Sequence, residues 1–377
     1  MGFKAGTSAK SGYIGFVPFF AHKARLEWLI HNFRESPTLL RELHETQCMT
    51  LSPTELIAKL EPSLIVPGRD SDYVAATGKF RASATDHTRI YWGAYLPNQL
   101  WDQLTAEAQH LARMLAAQQA ARGALVFSHK SAAVLLGLPI YGELGSRVHV
   151  VGSVAASGKS TRGVVRHRAD LLDEDVVEVS GLMCTSPDRT ILDLARFEQA
   201  ETALAAADGY LRREFKVSHK VDWSRVFEWQ DDMVTRIGRI RGRNGAAGAQ
   251  RLIALADPRI DSVLESISHL QLKRLKFEVE IQVPVPAPHG RMYYVDFELL
   301  GLDLFGECDG KQKYLDARLR RGRTAAEVVY DEKRRQDWIC KREHKDMVRW
   351  GYPEVPTARK LGMHLMGLGV PVPRMPR

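Results

Sequence analysis

Apolar positions along the chain switch between helical and strand spacing, and the switches mark out its elements. Leu39, Leu40 and Leu43 follow Thr38 at helical spacing. Ser52, Pro53 and Glu55 then open a second short helix, with a serine cap and a proline at the first helical position. Residues 88–95, TRIYWGAY, read as paired strand ends around a turn. Two short helices before a basic and aromatic strand pair fit a winged helix-turn-helix over 36–97, and equally a helical lead-in with a hairpin. Leu100, Leu104, Ala108, Leu111 and Leu115 predict one long amphipathic helix over 98–122, ended by Gly123.

Beyond it the pattern predicts a helix over 128–136, strands over 147–151, 164–168 and 176–179, and helices from Ser186-Pro187 to Ala195 and over 201–213. This is an α+β module covering 98–215. A polar passage with Arg236, Arg239, Arg241, Arg243, Gly245 and Gly248 follows, and 216–256 reads as a basic linker or helical hinge. The last module, 257–377, has helix 262–276, strands 278–283, 291–299 and 303–310, helix 324–344 and strand 346–350. Its order is αβββαβ, a mixed sheet with flanking helices. Residues 1–35 form an N-terminal extension without a readable pattern.

Composition narrows the class. Of 377 residues, 45% are hydrophobic and 26% charged, the balance of a globular protein rather than a disordered, collagenous or coiled-coil one. Lys+Arg exceed Asp+Glu by 53 to 45, a net charge of +8, which favours a polyanionic partner. Cys48, Cys184, Cys308 and Cys340 form no knuckle spacing and suit a reducing compartment. The longest early uncharged stretch, 12–22, is broken by Pro18 and falls short of the about 20 residues of a spanning helix. The expectation is a cytoplasmic protein without membrane association.

Two stretches carry candidate chemistry. Gly152 to Thr161 resembles a phosphate loop, but five residues separate Gly152 from Gly158, and a strand pattern follows Lys159-Ser160. Without a helix N-terminus there is no row of amides to hold a phosphate, and the stretch reads as a hairpin loop. The acidic residues of the last module are more telling. Alternation puts Glu307, Asp309 and Lys311 on one strand face and Cys308 and Gly310 on the other. A turn near Gly301 brings Asp296 beside Glu307, and Glu265 on the preceding helix closes over the same edge. Carboxylates so close repel unless a cation sits between them, and Mg2+ or Mn2+ supplies that charge through oxygen ligands. Residues 311–360 hold 15 Lys+Arg against 8 Asp+Glu, so the basic excess lies beside the acidic cluster. A basic rim around an acidic centre suits cleavage of a phosphodiester backbone; a charged sheet edge beside a solvated basic helix is the plain alternative.

These residues also carry a resemblance. Asp257, Leu264-Glu265, YVDF at 294–297, GECDG at 306–310, EKRRQD at 332–337 and VRW at 348–350 resemble a bacterial domain related to the very-short-patch-repair (Vsr-like) endonucleases of the PD-(D/E)xK superfamily. Upstream, RIYWGAY at 89–95, SHKSAA at 128–133, LGLP at 136–139, VHV at 148–150 and TSPDRTILDLA at 185–195 resemble the AbiEi family of type IV antitoxins, found fused to that domain in actinobacterial proteins. The resemblance implies an α+β, multidomain protein. It would have a winged-helix-like N-terminal region, an α+β middle module and a C-terminal restriction-endonuclease-like mixed sheet.

The resemblance also implies roles. Asp296 and Glu307 would bind the metal, with the Cys308 carbonyl as a further ligand, Asp309 where a lysine usually stands, and Glu265 as the helix glutamate. Another register takes Asp309-Gly310-Lys311 as the D-x-K itself. Lys313 replaces a histidine usual in the related domains, and a lysine is a poorer general base near neutral pH. Lys311 or Lys313 would steady the transition state, and Lys333, Arg334 and Arg335 would meet nucleic acid. The expected function is a DNA-binding protein with a metal-dependent endonuclease site. The alternatives are an inactive DNA-binding antitoxin-type regulator with a cognate toxin or a homo-oligomer as partner, and an interaction protein with no nucleic-acid role.

Overall fold

The computed structural model describes residues 51–66, 86–152, 160–161, 163–240, 242, 244–309 and 324–376. The helix read from Thr38, the loop at 153–159, and both Lys311 and Lys313 lie outside the described residues. What is described is a mixed α and β structure with 11 helices and several sheets. Among these residues no helix is long and apolar enough to cross a membrane.

Helix α1 (Pro53–Leu60) starts as its sequence dictates. The Ser52 hydroxyl accepts the Glu55 amide, the Glu55 carboxylate accepts the Ser52 amide at 2.7 Å, and Leu56, Ile57 and Leu60 face inward. Strands β1 (His87–Tyr91) and β2 (Ala94–Pro97) pair antiparallel around a turn at Trp92-Gly93, where Gly93 takes φ +67°. Trp92 at the tip is exposed, with the Arg89 guanidinium 4.8 Å from its ring.

The single helix expected over 98–122 is two: α2 (Asn98–Trp101) and α3 (Ala106–Ala120). Thr105 breaks them apart by turning its hydroxyl onto the Ala108 amide at 3.3 Å, a capping bond that competes with helix continuation. The second helix stops at Ala120, short of Gly123, whose carbonyl accepts from Gln118 instead.

The middle sheet is built from β3 (Val126–Phe127), β4 (Val148–Gly152), β5 (Val164–Arg168), β6 (Val176–Val179) and β7 (Leu182–Thr185), in the order β5-β4-β3-β7-β6. Strands β3 and β7 escape a reading by periodicity because one is two residues long and the other is almost wholly buried. Helix α4 (His129–Leu135) follows β3, and α5 (Pro187–Phe197) and α6 (Ala200–Phe215) follow β7.

The passage read as a linker or hinge is instead part of a core. After a short hairpin, β8 (Lys216–Val217) and β9 (Lys220–Val221), come α7 (Trp223–Arg239) and α8 (Ala246–Ile253). Val226, Trp229, Met233, Ile237, Leu252 and Ile253 pack against Leu204 and Leu211 of α6. Two of the arginines that made the passage look like a hinge, Arg236 and Arg239, are spent on acidic neighbours. Arg236 lies 2.8 Å from Asp175, and Arg239 lies 3.6 Å from Glu174. The chain then passes into the last module under restraint, with the Asp257 amide bonded to buried Asp208 at 2.8 Å.

The last module runs α9 (Val263–Arg274), β10 (Val279–Pro286), β11 (Met292–Leu299), β12 (Leu304–Cys308), α10 (Ala325–Glu343), β13 (Asp346–Trp350) and α11 (Ala358–Gly367). The sheet order is β10-β11-β12-β13, antiparallel except for the β12–β13 pair, which is parallel and joined through α10. Two cores flank it. Ile267 of α9 and Leu361 of α11 pack with Phe297, Leu304 and Trp350, and Ile339 of α10 packs with Val285, Val295 and Phe305.

Two measurements test this architecture. If 223–253 is core, Met233→Ala, which empties a fully buried position, costs about 2–5 kcal/mol in urea unfolding, where a linker substitution would cost almost nothing. The second concerns pH. Burial holds both His110 and His269 neutral, at about 4. Their folded values lie below the ordinary 6.5, so the stability they support is full above that pH and lost as pH falls toward 4. Together they contribute a slope of two protons, about 2.7 kcal/mol per pH unit at its steepest, and His269→Phe removes about one of them.

Candidate functional site

The site begins with a hairpin. The turn at Gly301, φ +80°, sets Phe297 opposite Gly306, so Asp296 and Glu307 are the next two residues to meet. Asp296 is held there by the Cys308 amide, which donates to its Oδ2 at 2.8 Å. The parallel partner strand completes the placement, pairing Glu307 with Arg349 and Cys308 with Trp350. Gly306 is required at this crossing, since a Cβ would stand 2.3 Å from the Trp350 ring.

Strands β10 and β11 are irregular at the same level. Their pairing skips Gln282, which takes the left-handed φ of +53°. Ile281 and Phe297 face the α9 core, whereas Val283, Val285 and Val295 belong to the α10 core. The hairpin therefore changes the face it buries at Gln282 and Asp296, and the Gln282 amide bonds Glu265 Oε2 at 3.0 Å.

The result is a cleft of about 410 Å³, lined by Asp261, Glu265, Asp296, Glu307, Asp309 and Glu332 together with Arg335, Arg349, His219, Gln282, Tyr294 and Cys308. Glu265, Asp296, Glu307, Cys308 and Asp309, each expected at the site from sequence, are thus brought together. Asp309 sits just past β12, anchored by its amide to the Trp350 carbonyl at 2.8 Å, with Oδ2 4.0 Å from Arg349. Lys333 and Arg334 are exposed on α10, the latter 5.8 Å from the Tyr330 ring.

Arg335, expected on the phosphate rim, turns inward instead. It donates to Glu307 Oε1 at 2.6 Å and to the Tyr294 carbonyl at 2.6 Å. Arg349 meets the other Glu307 oxygen at 2.7 Å and Glu332 at 3.0 Å. Glu307 is only 5% exposed, and a carboxylate so deeply buried draws cations toward it. The repulsion among the acids is therefore relieved within the chain. Arg349, Glu332, Gln282 and Tyr294 were not foreseen as site residues. The buried pattern of β13 gave the strand but not which acid its arginine would face.

Electrostatics follow from these contacts. Burial lifts the Glu265 carboxyl above its usual range, against bonds from the Asp261 amide and the Ser262 hydroxyl that favour the charged form. Burial, then the charges of Asp296 and Glu265, push the Cys308 thiol well up. Its Sγ lies 3.2 Å from Ser268 Oγ, which also accepts from the Trp350 indole, so its side chain belongs to the core. Burial works against the Arg349 charge, but Glu307, Glu332 and Asp309 more than offset it. His219 stacks flat on Tyr294 at 3.7 Å, giving the cleft an aromatic wall.

Whether the donors suit a divalent ion turns on this network. Carboxylate oxygens of Asp296 and Glu307 and the Cys308 carbonyl are the hard donors that Mg2+ or Mn2+ takes. Among the described residues, however, the three acidic, histidine or cysteine side chains whose ligand atoms lie within 4.8 Å of one another are elsewhere, in the middle sheet. The donor chemistry fits, with both Glu307 oxygens in the grip of arginines that an ion would have to displace.

No family model matches the chain. It is similar to two Mycobacterium tuberculosis proteins. These are the uncharacterized protein MT2308 of strain CDC 1551 / Oshkosh and the uncharacterized protein Rv2248 of strain ATCC 25618 / H37Rv, each 27% identical over 171 residues. The match covers 42% of this chain and 59% of each relative, so it spans little more than half of their length.

The arginine network makes a quantitative prediction. Arg349→Met leaves Glu307 buried with Arg335 alone and costs about 1.5–3 kcal/mol. Adding Glu307→Gln recovers part of that loss, and a double-mutant cycle in urea reads a coupling of about 0.5–3 kcal/mol.

Proposed function

We propose that the last module is a Mg2+- or Mn2+-dependent phosphodiesterase acting on DNA, and that its sheet belongs with the restriction-endonuclease-like folds. The meeting of Asp296 and Glu307 across β11 and β12, in a cleft that also holds Glu265 and Asp309, carries this reading. The αβββαβ order around it agrees with the resemblance to the Vsr-like domains. Asp296, Glu307 and the Cys308 carbonyl would hold the ion. A bound ion of this kind activates water and stabilises charge building on phosphorus.

The chain's own groups supply the rest. Glu265, whose carboxyl burial lifts above its usual range, is suited to hold or pass a proton beside Gln282. Arg335 and Arg349, once released from Glu307, are forked donors matched to phosphate oxygens. Exposed Lys333 and Arg334 extend that charge along α10. The His219–Tyr294 stack offers a flat surface for a base. In the AbiEi-like front region, the β1–β2 hairpin with Arg89 beside exposed Trp92 has the chemistry of a DNA-contacting wing.

One observation favours a second reading. Both Glu307 oxygens are already satisfied by arginines, as a retired catalytic centre would be, and a DNA-binding antitoxin-type regulator needs no metal. The two readings part on cleavage of labelled plasmid and mismatched duplex with Mg2+, Mn2+ or EDTA. The phosphodiesterase cuts only with metal, and Asp296→Asn lowers cutting by at least about a hundredfold while duplex binding persists. Binding without cutting under every metal overturns it and leaves the regulator.

A further inference from the structure

The middle sheet carries a second constellation, independent of the acidic cleft. His149 on β4 and His167 on β5 project from one sheet face, since His149 pairs with Val165 and Val151 with His167 on these parallel neighbours. His149 Nδ1 and His167 Nε2 stand 3.0 Å apart. His129, the first residue of α4, lays its ring on that of His167, with centroids 3.6 Å apart and planes 16° from parallel. One ring nitrogen from each of the three falls within 4.8 Å of the others.

A hydrogen bond between His149 and His167 accounts for their two facing nitrogens and leaves His129 unanswered. Its Nδ1 contacts the Ser128 hydroxyl at 3.1 Å, and its Nε2 is buried with no partner in a residue only 2% exposed. A buried ring nitrogen without a partner is costly, and a metal ion answers it. Burial, reinforced by neighbouring positive charge, depresses His129 to about 2 and His149 to about 4, and burial depresses His167.

The spacing agrees. Two nitrogens each 2.0–2.1 Å from a tetrahedral zinc stand about 3.3 Å apart, within a few tenths of an ångström of the His149–His167 separation. One supporting contact is of the kind a metal-bound imidazole needs, and another fixes the backbone that carries His149. Ser128 holds His129 Nδ1, which leaves Nε2 for the ion, and Ser131 accepts the His149 amide at 2.8 Å and ties β4 to α4.

We propose that His129, His149 and His167 form a binding site for one divalent transition-metal ion of the zinc class, which ties the start of α4 to the β4–β5 edge of the middle sheet. Soft and borderline ions that favour imidazole are selected; Mg2+ is not. Three protein ligands leave one position open for water or an exogenous ligand, and His149 and His167 are only half-buried.

The test uses the full chain, purified without a metal-affinity step, stripped with chelator and titrated with Zn2+ against a chromophoric competitor. One Zn2+ binds per chain, the thermal midpoint rises with it, and excess Mg2+ does not displace it. His167→Ala, on the edge strand and away from buried His129, and separately His149→Ala lose this binding while melting like the metal-free wild type. Ser128→Ala weakens it about tenfold. Asp296→Asn leaves it unchanged. Absence of stoichiometric binding in the wild type, retention in both histidine variants, or loss in Asp296→Asn overturns the proposal, the last by moving the ion to the acidic cleft.

Discussion

Glu307 is a carboxylate buried in the middle of a sheet, and a charge in that position stands only with cations beside it. The last module is arranged around this requirement. Parallel pairing of β12 with β13 puts Arg349 directly across from Glu307, and α10, the crossover between those strands, sends in Arg335. The next residue of β13, Trp350, covers Gly306 and joins the α9 core. One strand thus closes the hydrophobic core with one residue and neutralises the cleft with the residue before it. Core and site cannot be separated here, because a slip of register by one residue would exchange the indole and the guanidinium between the two faces.

The opposite wall of the cleft rests on a departure from regularity. A regular hairpin of β10 and β11 would bury one face throughout, yet its ends serve different cores. The switch occurs where Gln282 adopts a backbone conformation unfavourable for a residue with a side chain, a cost of order 1–3 kcal/mol. Its amide answers a Glu265 oxygen, and Asp296, level with it, takes the Cys308 amide. Strained backbone and bonded acids occur at one level of the sheet, so the irregularity is part of how the acids are presented.

What was legible in the sequence follows from what is local. Alternation fixed β11 and β12 to within a residue or two, and the glycine turn between them was enough to bring Asp296 to Glu307. The Ser52 cap announces its helix through a bond made within three residues. The partners of Glu307 were not legible, because they come from residues 28 and 42 positions further on, through a helix and a parallel register that no local pattern encodes. Helix α7 was obscured for a different reason. Its polar face carries the arginines that pair with Glu174 and Asp175, so only its buried stripe of Val226, Trp229, Met233 and Ile237 marks it as core. The three histidines, 20 and 18 residues apart, have no motif spacing, and only the folding of α4 against β4 and β5 assembles them.

The arginines also change what acidic clustering implies. Mutual repulsion among Asp296, Glu307 and Asp309 calls for positive charge, but it does not say whether a metal or a side chain delivers it, and here two guanidiniums do. On the phosphodiesterase reading this is a useful resting state. A guanidinium fork that fits a carboxylate also fits a phosphate, so an ion that takes Glu307 and a phosphate that takes Arg335 and Arg349 favour each other's binding. On that reading neither exchange is cheap alone: an ion without phosphate takes from Arg335 and Arg349 their shared carboxylate, leaving both to Glu332, and phosphate without an ion leaves Glu307 buried and bare. If the cleft is a phosphodiesterase centre, the same burial that requires the arginines at rest would couple metal and substrate and confine a reactive centre to the moment when both are present.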